Sequence, residues 1–235
     1  MRRDPQMTSP LISFIIPVFN EKKRLKKGIT SILGYLRPKP YSWEIIIVDD
    51  GSIDEATTKL YTHTGVFILK TKKNFGKGHA IRLGVEAATG QYIFFTDIDL
   101  SVPMIFTDRF LQELKNHDIV IGSRRLKDSK VTKSQNSLRR SLGHGFTQLS
   151  NFVLGLNHTD YTCGFKAFRG NVAKKLFAEN HINRWAFDPE VMFLAHKYHY
   201  TVKERPVSWK NDPRTKVSLT PDILQSAFDL LRIRF

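Results

Sequence analysis

The first half of the chain alternates short apolar runs with longer segments whose apolar residues recur every three or four positions. The short runs, rich in isoleucine, valine and phenylalanine, predict strands at 11–19, 44–50, 66–70, 92–99 and 118–123. The longer segments predict helices at 21–36, 54–61, 78–88 and 106–116. Because strands that alternate with helices are typical of βαβ units, we expect an α/β fold with a mostly parallel central sheet.

The second half of the chain is less regular. We expect a basic loop at 124–137, helices at 138–156, 172–180 and 189–198, a turn-rich stretch up to residue 170, a strand at 202–209 and a C-terminal helix. The 235 residues contain neither an internal repeat nor a recognisable linker. The sequence therefore predicts one domain over 1–235, with a regular half at about 11–123 and an irregular half at about 124–235.

The chain is strongly basic, with 37 Lys and Arg against 22 Asp and Glu and a formal net charge of +15. Residues 22–39 contain seven basic side chains and no acidic one, and residues 122–145 contain seven against a single aspartate. Most individual surface lysines are simply solvated. Clusters of this size nevertheless favour an anionic partner, which the charge leaves open as a nucleotide, an anionic lipid surface or a nucleic acid.

Cysteine content and hydropathy bear on the compartment. Cys163 is the single cysteine, so an intrachain disulfide is excluded and a reducing compartment such as the cytoplasm is expected. We find no run approaching the roughly 18 consecutive apolar residues of a membrane span. The first ten residues also lack the apolar core of a signal peptide. We therefore expect a cytoplasmic protein that is neither exported nor inserted across a membrane.

Charged residues follow four of the predicted strands. In open parallel sheets, ligands bind at the edge where the strands have their carboxyl ends. Three of these strand ends carry carboxylates and the fourth carries an arginine, which predicts one edge that binds a nucleotide, a divalent metal and phosphate together. The four strand ends are Pro17-Val18-Phe19-Asn20-Glu21, Asp49-Asp50-Gly51-Ser52, Asp97-Ile98-Asp99 and Gly122-Ser123-Arg124.

Asp97 and Asp99 are the strongest metal candidates. Two carboxylates at i and i+2, where a strand passes into a loop, can approach one hard cation such as Mg²⁺ or Mn²⁺. The same pair elsewhere is more often a solvated turn, but here it follows the apolar run at 92–96. Departure of a nucleoside diphosphate would develop negative charge that a metal and guanidinium groups stabilise. The candidate arginines are Arg124, Arg139 and Arg140.

Two further segments are less specific. Asp49 and Asp50 can accept hydrogen bonds from a base or a ribose, while Ser52 and Asp54 suit the alternative role of capping the next helix. Gly76 and Lys77 lie in a glycine-containing segment directly before a predicted helix, whose N-terminus favours an anion. The segment lacks the spacing of a Walker A loop, and a simple turn explains it equally well.

Four motifs in order, FFTDIDLSVP, IGSR, DYTCGFKAFR and RWAFDPEV, resemble those of family 2 glycosyltransferases. The resemblance extends from residue 11 to the C-terminus, and it is greatest to the branch of dolichyl-phosphate glucosyltransferases and mannose synthases. It implies a GT-A fold, inversion at the anomeric carbon, a nucleotide-sugar donor, a polyprenyl phosphate acceptor and Mg²⁺ or Mn²⁺. The motifs look closer to the glucosyltransferases, which implies UDP-glucose. Ser101 stands where some mannose synthases have a metal-binding glutamine.

The resemblance also assigns roles to individual residues. On the donor side it implies a nucleoside pocket formed by Pro17, Phe19, Glu21, Val48 and Asp50. It also implies a diphosphate and metal site at Asp97, Ile98 and Asp99. On the acceptor side it implies that Arg124 and Arg139 bind phosphates and that Asp160, Gly164, Phe165 and Lys166 form an acceptor motif. It places Trp185, Phe187, Asp188 and Glu190 in a segment near the sugar pocket.

Several alternatives remain open at this point. Asp160 is the candidate general base if one is used, and ordering Lys166 or the surrounding loop is its competing role. The C-terminal segment, with apolar and basic faces, could lie on an anionic bilayer as a peripheral anchor or pack on the domain. The rival functions are transfer from GDP-mannose, transfer to a saccharide or protein, nucleotide-sugar sensing, and nucleic-acid binding, for which we see no known motif.

Overall fold

The computed structural model describes residues 10–54, 57, 64–212 and 219–235. The strands are β1 (Ile12–Val18), β2 (Trp43–Asp49), β3 (Val66–Lys70), β4 (Tyr92–Thr96), β5 (Ile119–Ser123), β6 (Lys130–Lys133), β7 (Phe165–Arg169), β8 (Val202–Pro206) and β9 (Ser208–Lys210). The helices are α1 (Lys22–Leu36), α2 (Lys77–Ala87), α3 (Phe106–Glu113), α4 (Ser137–Leu154), α5 (Gly170–Glu179), α6 (Phe187–Lys197) and α7 (Leu219–Arg234).

Seven strands form the central sheet in the order β3-β2-β1-β4-β7-β5-β8. All neighbouring pairs are parallel except those of β7, which runs antiparallel to both β4 and β5. A second, two-stranded parallel sheet joins β6 and β9. The expected α/β architecture with a mostly parallel sheet is thus confirmed.

The sheet separates two apolar layers, because side chains alternate between its faces along each strand. On β1, Phe14 and Ile16 join the cluster that α1 and α3 cover, whereas Ile15 joins the cluster that α2, α5 and α6 cover. Helix α1 contributes Leu25 and Ile29, four residues apart on its buried face. Burial on both faces explains why β1, β2, β4 and β5 read as continuous apolar runs, whereas the edge strand β3 is partly exposed.

The structure differs from the sequence-based expectations mainly between residues 124 and 170. β6 lies within the expected basic loop, and β7 lies within the stretch expected to be only turns. β7 is five residues long, contains Lys166 and Arg169, and begins directly after Gly164, so its sequence lacks the long apolar run that signals a strand. Most of the helix expected at 54–61 lies outside the described residues.

The C-terminal helix α7 packs against α4 and α6, with Leu230 fully buried. Its other face is open, since Phe228 and Phe235 are 60% and 98% exposed. Packing on the domain, one of the two roles considered for this segment, is thus observed, and binding of the exposed face to an anionic bilayer stays a prediction. Among the residues that the structure describes, no helix combines the length and hydropathy needed to cross a bilayer.

Candidate active site

The carboxyl ends of β1, β2 and β4 open into a cavity of about 910 Å³. Residues from both halves of the chain line it, as the strand-end argument predicts. From the first half these include Pro17, Phe19, Glu21, Arg24, Asp50, Gly76, Lys77, Asp97, Ile98 and Asp99. From the second half they include Arg124, Arg125, Arg139, Arg140, His144, Gly164, Trp185, Asp188 and Asp212.

Asp97 and Asp99 face the cavity from the turn that follows β4. Leu100, with φ of 50°, donates its N–H to the carbonyl of Asp97 over 3.0 Å and closes this turn. Oδ1 of Asp99 accepts a hydrogen bond from the N–H of Ser101 at 2.9 Å. Burial, together with the nearby charge of Asp97, raises the pKa of Asp99. A cation placed here would reverse that shift, because it favours the ionised form.

The donor atoms of this pair fit a hard divalent cation. Both side chains offer carboxylate oxygens, which Mg²⁺ and Mn²⁺ prefer, and both line the cavity. Within the described ranges no cluster of three or more His, Cys, Asp or Glu could hold a metal by itself. The geometry therefore suits a metal held jointly by protein carboxylates and by the phosphate oxygens of a bound nucleotide, as is usual for Mg²⁺.

Lys77 and Gly164 lie beside different carboxylate oxygens of Asp97. Nζ of Lys77, at the start of α2, lies 2.6 Å from Oδ1 of Asp97. Gly164 precedes β7, where Phe165 pairs with Thr96 of β4, so the start of one antiparallel strand lies beside the end of the other. A β-carbon on Gly164 would lie 2.0 Å from Oδ2 of Asp97. Residue 164 therefore has to be glycine for the carboxylate to lie where it does.

Arg124, which lines the cavity, forms an ion pair with the buried Asp160. The guanidinium donates from Nε to Oδ2 at 2.7 Å and from Nη2 to Oδ1 at 2.8 Å, and Asp160 is fully buried. Burial opposes ionisation of Asp160, but the charge and hydrogen bonds of Arg124 hold its carboxyl pKa well below the usual range. Asp160 thus fixes Arg124 and the N–H of Thr162, an arrangement that suits positioning rather than proton abstraction.

Lys166 and Asp188 form a second buried pair. Lys166 is 1% exposed, and its Nζ lies 2.8 Å from Oδ1 of Asp188 and donates to the carbonyl of Cys163 at 2.7 Å. Burial raises the pKa of Asp188, against the opposing charges of Lys166 and Lys77. Lys166 therefore lies in the wall of the site, and Asp188 is the member of the pair that reaches the cavity.

The predicted nucleoside residues separate into two groups. Pro17, Phe19 and Glu21 line the cavity, whereas Val48 and Asp49 are fully buried beneath it. Val48 points into the apolar layer under α2. Asp49 accepts hydrogen bonds from the N–H of Ser52 at 2.8 Å and from Oγ1 of Thr57 at 2.5 Å. Asp49 is thus engaged in local turn structure. The capping role suggested for Ser52 and Asp54 concerns a helix most of which lies outside the described residues.

Asp50 lines the cavity and also anchors the glycine-containing loop. Its carboxylate accepts from the N–H of Phe75 at 3.1 Å and from the N–H of Gly76 at 2.7 Å. Gly76 has φ of 114°, and a β-carbon there would lie 2.4 Å from the carbonyl oxygen of Asn183. The close backbone approach expected at this glycine therefore occurs, and the group that approaches is the backbone carbonyl of Asn183.

The sugar-pocket segment is likewise divided. Trp185 and Asp188 line the cavity, while Phe187 belongs to the apolar layer. Glu190 accepts hydrogen bonds from the N–H groups of His181 at 3.0 Å and Ile182 at 2.8 Å, which fixes the segment before α6.

Several charged cavity residues were not singled out from the sequence, among them Arg24, Arg125 and Asp212. Arg125 donates to Oγ1 of Thr147 at 2.7 Å, and it directly follows the predicted Arg124. Arg24 lies three residues after Glu21, a spacing that places both on one helix face and could have revealed it. Asp212 follows β9 outside any apolar pattern, so no sequence signal marks it.

Comparison with known proteins shows the family to which the chain belongs. The sequence profile of glycosyl transferase family 2 matches residues 13–177. A dolichyl-phosphate beta-glucosyltransferase of Trichomonas vaginalis is 33% identical over 239 residues, which cover 94% of this chain and 72% of that protein. The dolichyl-phosphate beta-glucosyltransferases of Dictyostelium discoideum and Homo sapiens are 34% and 31% identical, each over 95% of this chain and 74% of the relative.

Solved structures share the fold at lower identity. A glucosyl-3-phosphoglycerate synthase from Mycobacterium tuberculosis in complex with UDP superposes with a TM-score of 0.69 at 15% identity, covering 99% of this chain and 86% of that one. The mannosyltransferase PcManGT from Pyrobaculum calidifontis in complex with GDP-Man and Mn²⁺ gives 0.58 at 16% identity, covering 98% and 71%. The chain thus belongs to glycosyl transferase family 2 and is a glycosyltransferase of the GT-A fold.

Proposed function

We propose that this protein transfers glucose from UDP-glucose to the phosphate of a dolichyl-type polyprenyl phosphate, with inversion at the anomeric carbon. The similar relatives from three organisms, at 31% to 34% identity, carry the name of a dolichyl-phosphate beta-glucosyltransferase. The observation that carries the proposal is one cavity lined by both a carboxylate pair and several arginines. Such a cavity suits a reaction between two phosphate-bearing substrates.

On the donor side, Asp97 and Asp99 would hold Mg²⁺ or Mn²⁺ together with the diphosphate. The bound metal would neutralise charge that develops on the departing nucleoside diphosphate. Lys77, whose Nζ lies 2.6 Å from Oδ1 of Asp97, is a fixed cation beside the same site and reduces the repulsion that an anionic donor would meet. Pro17, Phe19 and the other cavity residues at the β1 and β2 ends would contact the nucleoside.

On the acceptor side, Arg125, Arg139 and Arg140 would contact the acceptor phosphate, since all three line the cavity. A phosphate monoester carries a charge of about −1.5 to −2 at pH 7, so it can attack without a dedicated base. Burial, reinforced by the charge of Arg125, lowers the pKa of His144, which stays neutral near pH 7 and leaves the arginines as the cations of this wall. Asp160 would act by holding Arg124 in place.

A lipid acceptor has to be met at a membrane surface. Phe152 on α4 is 87% exposed, and α7 adds the exposed Phe228 and Phe235 together with Arg232 and Arg234. Exposed aromatic side chains beside arginines suit the boundary of an anionic bilayer, where each well-placed basic residue contributes about 1 kcal/mol. We therefore place the enzyme peripherally on the cytoplasmic face of a membrane, through the surface that α4 and α7 share.

The test combines substrate choice with nucleotide binding. The protein is incubated with UDP-glucose or GDP-mannose, Mn²⁺, and either a short polyprenyl phosphate or a free saccharide, and products are identified by mass spectrometry. We expect a glucosyl lipid phosphate whose anomeric configuration, read by NMR, is inverted. UDP with Mn²⁺ should raise the unfolding temperature more than GDP with Mn²⁺. Glucosylation of the saccharide alone would contradict the acceptor, and tighter binding of GDP would contradict the donor.

A further inference from the structure

Arg24 lies among three carboxylates that come from three separate segments of the chain. Glu21 precedes α1, Asp99 follows β4, and Asp212 follows β9. Nε of Arg24 donates to Oε2 of Glu21 at 2.5 Å, and Nη2 contacts Oε1 of the same carboxylate. Nη1 lies 3.3 Å from Oδ2 of Asp212 and 3.7 Å from Oδ2 of Asp99. Glu21 therefore holds one edge of the guanidinium while the remaining nitrogen faces the other two acids.

This arrangement differs from an ordinary surface ion pair. The Arg24 side chain is only 11% exposed, and all four residues of the cluster line the cavity. Burial opposes its charge, yet Glu21, Asp212 and Asp99 together raise its pKa, so Arg24 is a permanent cation. A bidentate contact with Glu21 fixes the plane of the guanidinium, which a lysine ammonium could not reproduce.

Asp99 is oriented from two sides as a result. Its Oδ1 accepts from the N–H of Ser101 at 2.9 Å, and its Oδ2 is the oxygen that faces Arg24. The distance of 3.7 Å is too long for a strong hydrogen bond, so this oxygen keeps lone pairs free toward the cavity. Asp212 is held by the closer contact, and through it the chain that follows β9 lies against the donor edge of the sheet.

We propose that Arg24 is a positioning residue that orients Asp99 for the metal-bound nucleotide and fastens the segment at Asp212 over the same cavity. This inference rests on the proposed use of Asp99 with a divalent metal and a nucleotide, but not on the identity of the sugar or of the acceptor. The inference assigns Asp212 to the cavity wall that both substrates would meet. Asp212 belongs to none of the four strand-end motifs.

The test measures nucleotide binding apart from turnover. UDP affinity is determined by calorimetry in Mn²⁺ and in EDTA for the wild type, Arg24→Gln, Arg24→Lys, Asp212→Asn and the double variant Arg24→Gln/Asp212→Asn. Lys27→Gln, an exposed basic residue on the same helix, is the matched control. If GDP is the better ligand of the wild type, the same series is run with GDP, so the result does not depend on the donor assignment.

We expect Arg24→Gln to weaken nucleotide affinity about 10- to 100-fold in Mn²⁺ and much less in EDTA, as for other residues that orient metal ligands. Arg24→Lys should recover part of the loss, Asp212→Asn should weaken nucleotide affinity by a smaller factor, and the double variant should resemble Arg24→Gln, because the two residues act through one contact. Equal losses in Mn²⁺ and EDTA, or additive effects of the two substitutions, would overturn the proposal.

Discussion

The carboxylate of Asp97 occupies the space that a side chain at position 164 would need, since a β-carbon on Gly164 would lie 2.0 Å from Oδ2 of Asp97. The contact joins the carboxyl end of β4 to the start of β7, two strands that run antiparallel. It explains why a glycine precedes Phe165 in this chain. It also means that the position of Asp97 depends on a residue from the other half of the sequence.

Gly164→Ala should therefore inactivate the enzyme by displacing Asp97. The added methyl group should also destabilise the fold by about 1–3 kcal/mol, the usual cost of overpacking a close contact. Gly145→Ala is the matched control, because it lies in α4 with open space around the position of a β-carbon and should be neutral or slightly stabilising. Full activity of Gly164→Ala, measured alongside urea unfolding, would show that Asp97 has no fixed position.

Asp99→Ala should abolish transfer while leaving the fold intact. Asp99 lies on the turn beyond β4 and faces the cavity, so its removal exposes no core, whereas loss of a carboxylate at the diphosphate site should reduce kcat about 100-fold or more. The measurements are turnover across a range of Mn²⁺ concentrations and thermal unfolding. Near-normal turnover at saturating Mn²⁺ would contradict the metal assignment.

Asp160→Asn should be strongly destabilising, because it leaves the Arg124 guanidinium buried without its counter-charge. Breaking a buried pair in this way typically costs about 3–5 kcal/mol of unfolding free energy. The measurement is urea unfolding of both proteins between pH 3 and pH 8.

The pH dependence distinguishes charge from packing. The folded pKa of Asp160 is depressed below the unfolded value of about 4, so its stabilisation is complete above pH 4 and declines as the pH falls through the folded pKa. The difference between wild type and Asp160→Asn should be constant from pH 8 to pH 5 and should shrink below pH 4. A difference that stayed constant at pH 3 would assign the effect to packing.

Membrane binding should depend on both salt and the exposed aromatic residues of α4 and α7. Co-sedimentation with anionic liposomes should weaken as salt rises, because the attraction between basic residues and lipid headgroups is screened within a Debye length. Phe152→Ser and Phe228→Ser should each weaken it further. Ile105→Ser is the control, since Ile105 is 69% exposed but lies just before α3. Binding unchanged by salt and by both substitutions would contradict this surface.

The cavity-lining residues that the sequence could indicate are those whose position follows from local order. Asp50, Asp97 and Arg124 each come directly after a strand, and parallel strands bring such positions to one edge whatever their distance along the chain. Adjacent residues along a strand point to opposite sides of the sheet. This alternation accounts for why Asp49 is buried in turn contacts whereas Asp50 faces the cavity.

The residues that sequence analysis could not resolve are those whose partners come from elsewhere in the chain. Arg124 meets Asp160 from 36 residues away, and Lys166 meets Asp188 from a different element, so neither pairing is encoded by spacing. For the same reason Asp160 looked like a possible base, because only the structure brings the guanidinium to both of its oxygens. Lys166 was expected in the acceptor motif, whereas the structure buries it against Asp188, which is an uncommon position for a lysine.

The position of β7 between β4 and β5 also constrains how the chain acquires its structure. When synthesis has reached residue 123, β5 is complete, but its two neighbours in the sheet, β7 and β8, have yet to be made. The strands β1 to β4 can associate early. The apolar strand β5 stays unpaired until about 40 more residues have been synthesised and β7 is available. The step that joins β5 to the early strands through β7 is therefore the same step that brings Gly164 beside Asp97, so a nascent chain fixes this carboxylate only after β7 has been made.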